Sequence, residues 1–196
     1  MKDKIAFLLY GTDEWILSEN LEYLNSLYVP DDIDVEIYKL NSADGLLPTF
    51  ENGRLLSDAR YKVYLDQNTY IIDKKFIPRV IGVFQNHPQI GMIGVRGFRM
   101  DQEKNQAEFE GYNLSHVYDI FSFVREFREG TATGIIPVLA LDRHLMVTSA
   151  DTPWIGEESN FHIAKSVELR HAGIETVVMV ADQPMVLFDN GVLTEK

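Results

Sequence analysis

The alternation of apolar runs with amphipathic stretches over residues 1–98 limits the fold more than any other feature of this chain. "KIAFLLY" (4–10) is a continuous apolar run bounded by Gly11, the pattern of a strand buried on both faces. "TDEWILSENLEYLNSL" follows. Thr12 or Asp13 can cap it, and Trp15, Ile16, Leu21, Leu24 and Leu27 recur at helical spacing before Pro30 and Asp31-Asp32 stop it. "VEIYKL" (35–40) reads as a second strand, 41–59 as a loop leading to a helix with Pro48 in its first turn, and "YKVYL" (61–65) as a third strand. Asp73 suits the cap of a helix that carries Phe76, Ile77, Val80, Ile81 and Phe84 on one face. "IGMIGVRGF" (90–98) is a fourth strand, loosened by its glycines. Strand and helix in turn predict an α/β fold with a mostly parallel central sheet, right-handed crossovers and helices on both faces.

Region 99–133 breaks the alternation, polar first and then aromatic, and reads as an insertion covering one end of the sheet. Its Tyr118, Phe121, Phe123 and Phe127 read as core before they read as an acceptor wall or a contact in a homo-oligomer. "GIIPVLALD" (134–142) and "LMVTS" (145–149) are expected as strands joined by a tight turn at Arg143-His144, the start of a small antiparallel extension. A helix over 156–173 ends at Gly173, and late strands follow at 175–180 and 185–189. With 196 residues and 45% hydrophobic content, residues 1–196 are expected to form a single domain with one core.

The net charge of -12 argues against a nucleic-acid or anionic-membrane surface, both of which need clustered Lys and Arg. It also means that an anionic small substrate would need a cation or a local basic group to offset the acidic field. The absence of cysteine excludes disulfides and thiolate metal sites and allows a reducing compartment. No stretch approaches the ~20 apolar residues of a membrane span, and the apolar run 5–10 is too short for a signal core, so a soluble cytoplasmic protein is expected. There is no P-loop, no G-x-G-x-x-G after the first strand and no G-x-S-x-G elbow.

Two short polar clusters could carry chemistry. In open α/β sheets ligands bind beyond the carboxyl ends of the strands, where Asp66-Gln67-Asn68 interrupts "YKVYLDQNTYII". Two oxygen-bearing side chains one residue apart suit a hard cation such as Mn²⁺ or Mg²⁺, although the local sequence alone favours a plain turn. "GEESNF" (156–161) sets Glu157 and Glu158 at an expected helix start. The helix dipole favours carboxylates there, and one of them could also serve as a general base. The histidines at 87, 116, 144, 162 and 171 show no ligand spacing and read as surface or supporting groups.

Taken in order, "LNSLYVPDDIDVEIYKL", "SDARYKVYLDQNTYIIDKKFI" with "IGMIGVRG", "VLALDRHLMVTSADTPW", and "VELRHAGIETVV" with "LFDNG" resemble the family-2-like glycosyltransferases. The nearest likeness is to a bacterial glycosyltransferase-like branch. The resemblance implies a GT-A-type (Rossmann-like) domain with a nucleotide-binding half (1–98), a cover (99–133) and an acceptor-side half (134–196). It implies a UDP-sugar or similar nucleotide-diphosphate-sugar donor, a glycan or other hydroxyl acceptor, and an inverting hexosyltransferase reaction. Gly11, Thr12, Asp13, Asn41 and Asp44 would flank the nucleotide together with Asp66 and Gln67. Asp66 and Asn68 would hold a divalent cation, and Glu158, with Glu157 beside it and Asp142 near the sugar, would be catalytic. Two positions depart from the pattern. Asn68 stands where the family motif ends in an acid, and Phe188 stands where the branch carries a histidine. They keep open a second class, a catalytically degenerate domain that binds nucleotide, glycan or protein. A nucleotidyltransferase is disfavoured because "YGTDEWI" lacks a basic, glycine-rich loop.

Overall fold

The computed structural model describes residues 2–101, 106–116, 123–127 and 134–189. β1 (Asp3–Gly11) is the expected run extended by one residue at each end. Its side chains alternate between two apolar layers. Ile5, Phe7 and Leu9 face one layer, and Ala6, Leu8 and Tyr10 face the other. α1 (Glu14–Asn25) is capped by Asp13, whose carboxylate accepts from Trp15 N at 2.9 Å and Ile16 N at 3.1 Å. Its buried stripe is Leu17, Asn20 and Leu24. Trp15, expected on that stripe, is 80% exposed, because two residues before Leu17 is nearly the opposite side of a 3.6-residue helix.

β2 (Ile33–Asn41) and β3 (Tyr61–Asp66) lie parallel to β1 on either side of it, and α2 (Leu46–Leu56) connects them. α1 packs on the Ile5–Phe7–Leu9 layer. α2 packs on the other layer through Phe50, whose ring meets Tyr10, Tyr64, Trp154 and Phe161 at centroid distances of 4.7–5.0 Å. β4 (Thr69–Ile71), just beyond the Asp66-Gln67-Asn68 interruption, is a short strand. α3 (Phe76–Asn86) buries all five expected residues. It begins after a turn in which the Asp73 carboxylate accepts from Lys75 N at 2.9 Å, so Asp73 organises the approach and is not the cap itself.

Two expected strands are each divided. The run 90–98 becomes β5 (Ile90–Gly94) in the central sheet and β6 (Arg96–Asp101) in a second sheet. β7 (Gln106–His116) and β8 (Phe123–Phe127) follow in that second sheet, so part of the expected insertion is strand; residues 102–105, 117–122 and 128–133, with Tyr118 and Phe121, lie outside the described residues. The run 134–142 becomes β9 (Gly134–Pro137) in the central sheet and β10 (Ala140–Leu141) in the second, with Pro137 closing β9. β11 (Leu145–Thr148), α4 (Phe161–His171), β12 (Glu175–Val180) and β13 (Val186–Asp189) complete the described chain. α4 starts five residues later than expected: Gly156, at φ +111°, cannot be helical, and 156–160 forms a turn. Gly173, at φ +77°, ends the helix as expected.

The central sheet has the order β2-β1-β3-β11-β5-β12-β9, with β11 and β9 running against the other strands. The second sheet has the order β10-β6-β7-β13-β4, with β8 on β7. α1 and α3 cover one face of the central sheet, and α2 and α4 cover the other. The chain leaves β1 toward β2 and leaves β3 in the opposite direction, so the crevice beyond Gly11 and Asp66 is a topological switch point.

Candidate active site at the carboxyl edge of the central sheet

The end of β1 and the end of β3 are tied together at that crevice. Gln67 N donates to Tyr10 O at 2.9 Å. The Gln67 side chain folds back over Gly11, and its Oε1 accepts from Thr12 N at 2.8 Å and Asp13 N at 3.0 Å. A Cβ on Gly11 would lie 2.0 Å from that oxygen and 2.7 Å from Gln67 Cβ, so glycine is required here by close approach. Asn20 locks the same turn from α1: its Nδ2 donates to Gln67 O at 3.1 Å and Thr69 O at 2.9 Å. Asp66-Gln67-Asn68 is therefore a built turn, which is also what its local sequence favoured.

Asp66 Oδ1 accepts from Asn68 N at 2.9 Å. Burial raises the Asp66 pKa, with the Asn68 hydrogen bonds and the His144 and Arg143 charges opposing the rise. A cation would stabilise such a carboxylate. Among the described residues no three His, Cys, Asp or Glu side chains gather around a common point. One carboxylate and one amide fit Mg²⁺ or Mn²⁺ in the mode where substrate phosphates and water supply the remaining ligands, and they do not make a resident metal cage.

The turn between β10 and β11 closes the crevice. Asp66 N donates to His144 O at 2.9 Å, and the Tyr10 hydroxyl donates to Arg143 O at 2.5 Å. Asp142 is committed to His144: its Oδ1 accepts from His144 N at 3.0 Å and forms a short contact with Nδ1 of the ring. Burial pushes Asp142 up, but the His144 hydrogen bond and charge outweigh it, and its pKa is lowered. For His144 burial pulls down, the Asp142 and Asp66 charges pull up, and the net shift is upward. Phe188 is buried with its ring edge-on to His144, centroids 5.5 Å apart.

The expected acids of "GEESNF" lie in the turn before α4, not on the helix. The Glu158 carboxylate crosses to α2, where it accepts from Leu47 N at 3.0 Å and, at closer range, from Leu46 N. Gly45 precedes that helix and offers no capping side chain, so Glu158 is its cap. Glu157 is exposed, and among the described residues its side chain carries no hydrogen bond or ion pair. Asn41 Oδ1 accepts from Ala43 N at 2.9 Å, and Asn41 and Asp44 are exposed beside Ser42, whose N–H donates to Gly11 O at 3.1 Å. The loops after β1, β2 and β3, the 142–144 turn and the 156–160 turn thus meet at one edge.

Sequence reasoning read His162 only as a surface or supporting group. It sits in the first turn of α4, one turn before Ser166, which donates to His162 O at 3.0 Å and accepts from Leu141 N at 3.4 Å. Its Nδ1 is buried without a partner, and burial lowers its pKa against the pull of Asp142. No spacing rule could have found it, because its neighbours come from the distant β10–β11 turn.

No curated protein matches the chain. Among solved structures, the crystal structure of A197 from STIV is similar with a TM-score of 0.54 at 10% identity, covering 94% of this chain and 83% of that one. That likeness supports the fold. No helix among the described residues is long and apolar enough to cross a membrane. The model of the glycosyltransferase-like family matches residues 6–195, from the middle of β1 to beyond β13, and so takes in every element that builds this edge. The chain belongs to the glycosyltransferase-like family.

Proposed function

We propose that the protein is a hexosyltransferase. It would move a sugar from a nucleotide-diphosphate sugar, a UDP-sugar by preference, to a hydroxyl of a glycan or other acceptor, with inversion. The observation that carries this reading is the convergence of Gly11–Asp13, Asn41–Asp44, Asp66–Asn68 and Asp142–His144 at the switch point of a family member's sheet. Gly11–Asp13 and Asn41–Asp44 flank the nucleoside. Asp66 and the Asn68 amide would hold Mn²⁺ or Mg²⁺, and a bound ion would supply Lewis-acid stabilisation to the leaving diphosphate.

Of the three acids, Glu158 caps α2 and Asp142 holds His144. Glu157 is the one with an uncommitted carboxylate among the described residues, and it takes the acceptor proton as general base, with Glu158 and Asp142 organising the site. Calorimetric titration with UDP and Mn²⁺ tests the donor assignment. Well-folded protein that binds no UDP, with or without metal, overturns it. Asp66→Ala is expected to abolish the metal-dependent part of binding while the domain stays folded.

A second reading, a degenerate domain that binds nucleotide, glycan or protein without transfer, is favoured by Gln67. Its amide oxygen already occupies two N–H groups at the start of α1. UDP release from UDP-sugars that is lost in Glu157→Gln excludes it.

A further inference from the structure

We propose that the Arg143 guanidinium is a protein-borne counter-charge for the donor's diphosphate, so that nucleotide binding at this edge survives removal of the divalent cation. The inference rests on the donor reading above and concerns how this chain meets the charge of that donor.

A diphosphate needs positive charge or free N–H groups, and this chain is short of both. Its net charge is -12. The N–H groups of Thr12 and Asp13 already donate to Gln67, and those of Leu46 and Leu47 donate to Glu158. The Asp66–Asn68 pair brings only one carboxylate, so electrostatic retention of a metal there is weak. Most of the described cations are also committed. Lys4 pairs with Glu36 and Asp58, Lys39 with Glu14, Arg54 and Lys62 with Asp151, and Arg79 with Asp73.

Arg143 differs. Its backbone is pinned at the switch point through the Tyr10 hydroxyl bond to its carbonyl and the adjoining Asp66–His144 bond. Its side chain is exposed and, among the described residues, has no hydrogen bond or ion pair. The turn that carries it is bonded to the ends of β1 and β3, so the side chain is rooted beside Asp66 at the crevice. A guanidinium offers a planar fork that matches two phosphate oxygens, and it is always charged. A charge in that place does for the leaving nucleotide what a cation does, without a metal-binding equilibrium.

The test is UDP titration by calorimetry, in EDTA and in Mn²⁺, with the wild type, Arg143→Ala, Arg143→Lys and Lys75→Ala. Lys75 carries the matching control charge. It too is uncommitted among the described residues, and it lies just before α3, next to Lys74, whose carbonyl accepts from Tyr28 N beyond the C-terminus of α1. The expected result is that the wild type binds UDP in EDTA. Arg143→Ala should then weaken that binding about tenfold or more, Arg143→Lys should recover part of it, and Lys75→Ala should leave it unchanged. Because the Arg143 side chain is exposed and its carbonyl makes the structural bond, the variants are expected to unfold at the wild-type urea midpoint. The inference is overturned if UDP binds only with Mn²⁺, or if Arg143→Ala and Lys75→Ala bind UDP alike. Wild type that binds no UDP under either condition overturns the donor reading itself, and the inference with it.

Discussion

The contact between Gly11 and Gln67 allows a quantitative test of how the switch point is built. Gly11→Ala places a Cβ 2.0 Å from Gln67 Oε1, where ordinary contact begins near 3.4 Å, so the Gln67 side chain must leave. Gly11 is absent from the positive-φ glycines, so alanine meets no backbone penalty and the cost is steric. When Gln67 leaves, Thr12 N and Asp13 N lose their acceptor. At about 1 kcal/mol per net hydrogen bond, Gly11→Ala costs at least about 2 kcal/mol, because Gln67 Cβ, 2.7 Å from the new Cβ, is not moved by side-chain rotation. Gln67→Gly breaks the same two bonds and adds the flexibility of a second glycine, for about 2–3 kcal/mol. In the double variant the two bonds are lost only once. It should therefore be about as stable as Gln67→Gly alone, with a coupling energy of about 2 kcal/mol. Urea unfolding followed by far-UV circular dichroism, with unchanged m-values, measures this. Additive single effects, within about 0.5 kcal/mol, would show that the two residues do not share a contact and would refute the packing argument.

Glu158→Ala is expected to lower stability by about 1 kcal/mol through loss of the α2 cap, while Glu157→Ala leaves the unfolding midpoint within about 0.5 kcal/mol of wild type; equal effects in urea unfolding would remove the capping role. Stability against pH should peak near 6.5, the ordinary histidine value. His144 has its pKa raised on folding, so its contribution is full below 6.5 and is lost as pH rises through its folded value. His162 has its pKa lowered, so its contribution is full above 6.5 and is lost as pH falls through its folded value. His144→Asn should flatten the high-pH side and His162→Asn the low-pH side in urea midpoints taken across pH 5–8, and a profile unmoved by either substitution would contradict the assignment.

The layers of this fold were legible because period-2 and period-3.6 patterns report burial directly. The continuous run 4–10 is apolar because both of its faces are covered, and the Phe76–Phe84 stripe is apolar because one of its faces is. What escaped was everything decided by a change of sheet. Val95 stays buried where the chain passes from β5 to β6, so the apolar run 90–98 shows no break at the point where the sheet partner changes. Lys165 escaped for a related reason. It is a charged residue within a helical stretch that reads as surface, yet it is 1% exposed, donating to Thr152 O at 3.0 Å, Pro153 O at 2.9 Å and Glu168 at 3.1 Å. Pattern reading assigns lysine to solvent, and only the returning 151–154 loop supplies the acceptors that make its burial affordable.

The candidate site was half legible on the same logic. Strand ends can be located from strand patterns, so Asp66–Asn68 could be placed at the carboxyl edge from the sequence, while Gly11–Asp13 and Asn41–Asp44 were implied there by the family resemblance. Side-chain commitment cannot be read that way, because each partner lies far along the chain: Gln67 serves the start of α1 and Glu158 serves the start of α2. The N–H groups at the starts of α1 and α2 are answered by the chain's own oxygens, so the electrostatic question at this edge turns on side chains. A buried Asp66 with raised pKa, an Asp142 held on His144, and an unpaired Arg143 leave the guanidinium as the one of these charges free to meet an incoming anion without first breaking a contact among the described residues. The single carboxylate of the Asp66–Asn68 pair is consistent with that distribution. A site whose counter-charge is carried on the β10–β11 turn has less need of a second carboxylate to retain a metal.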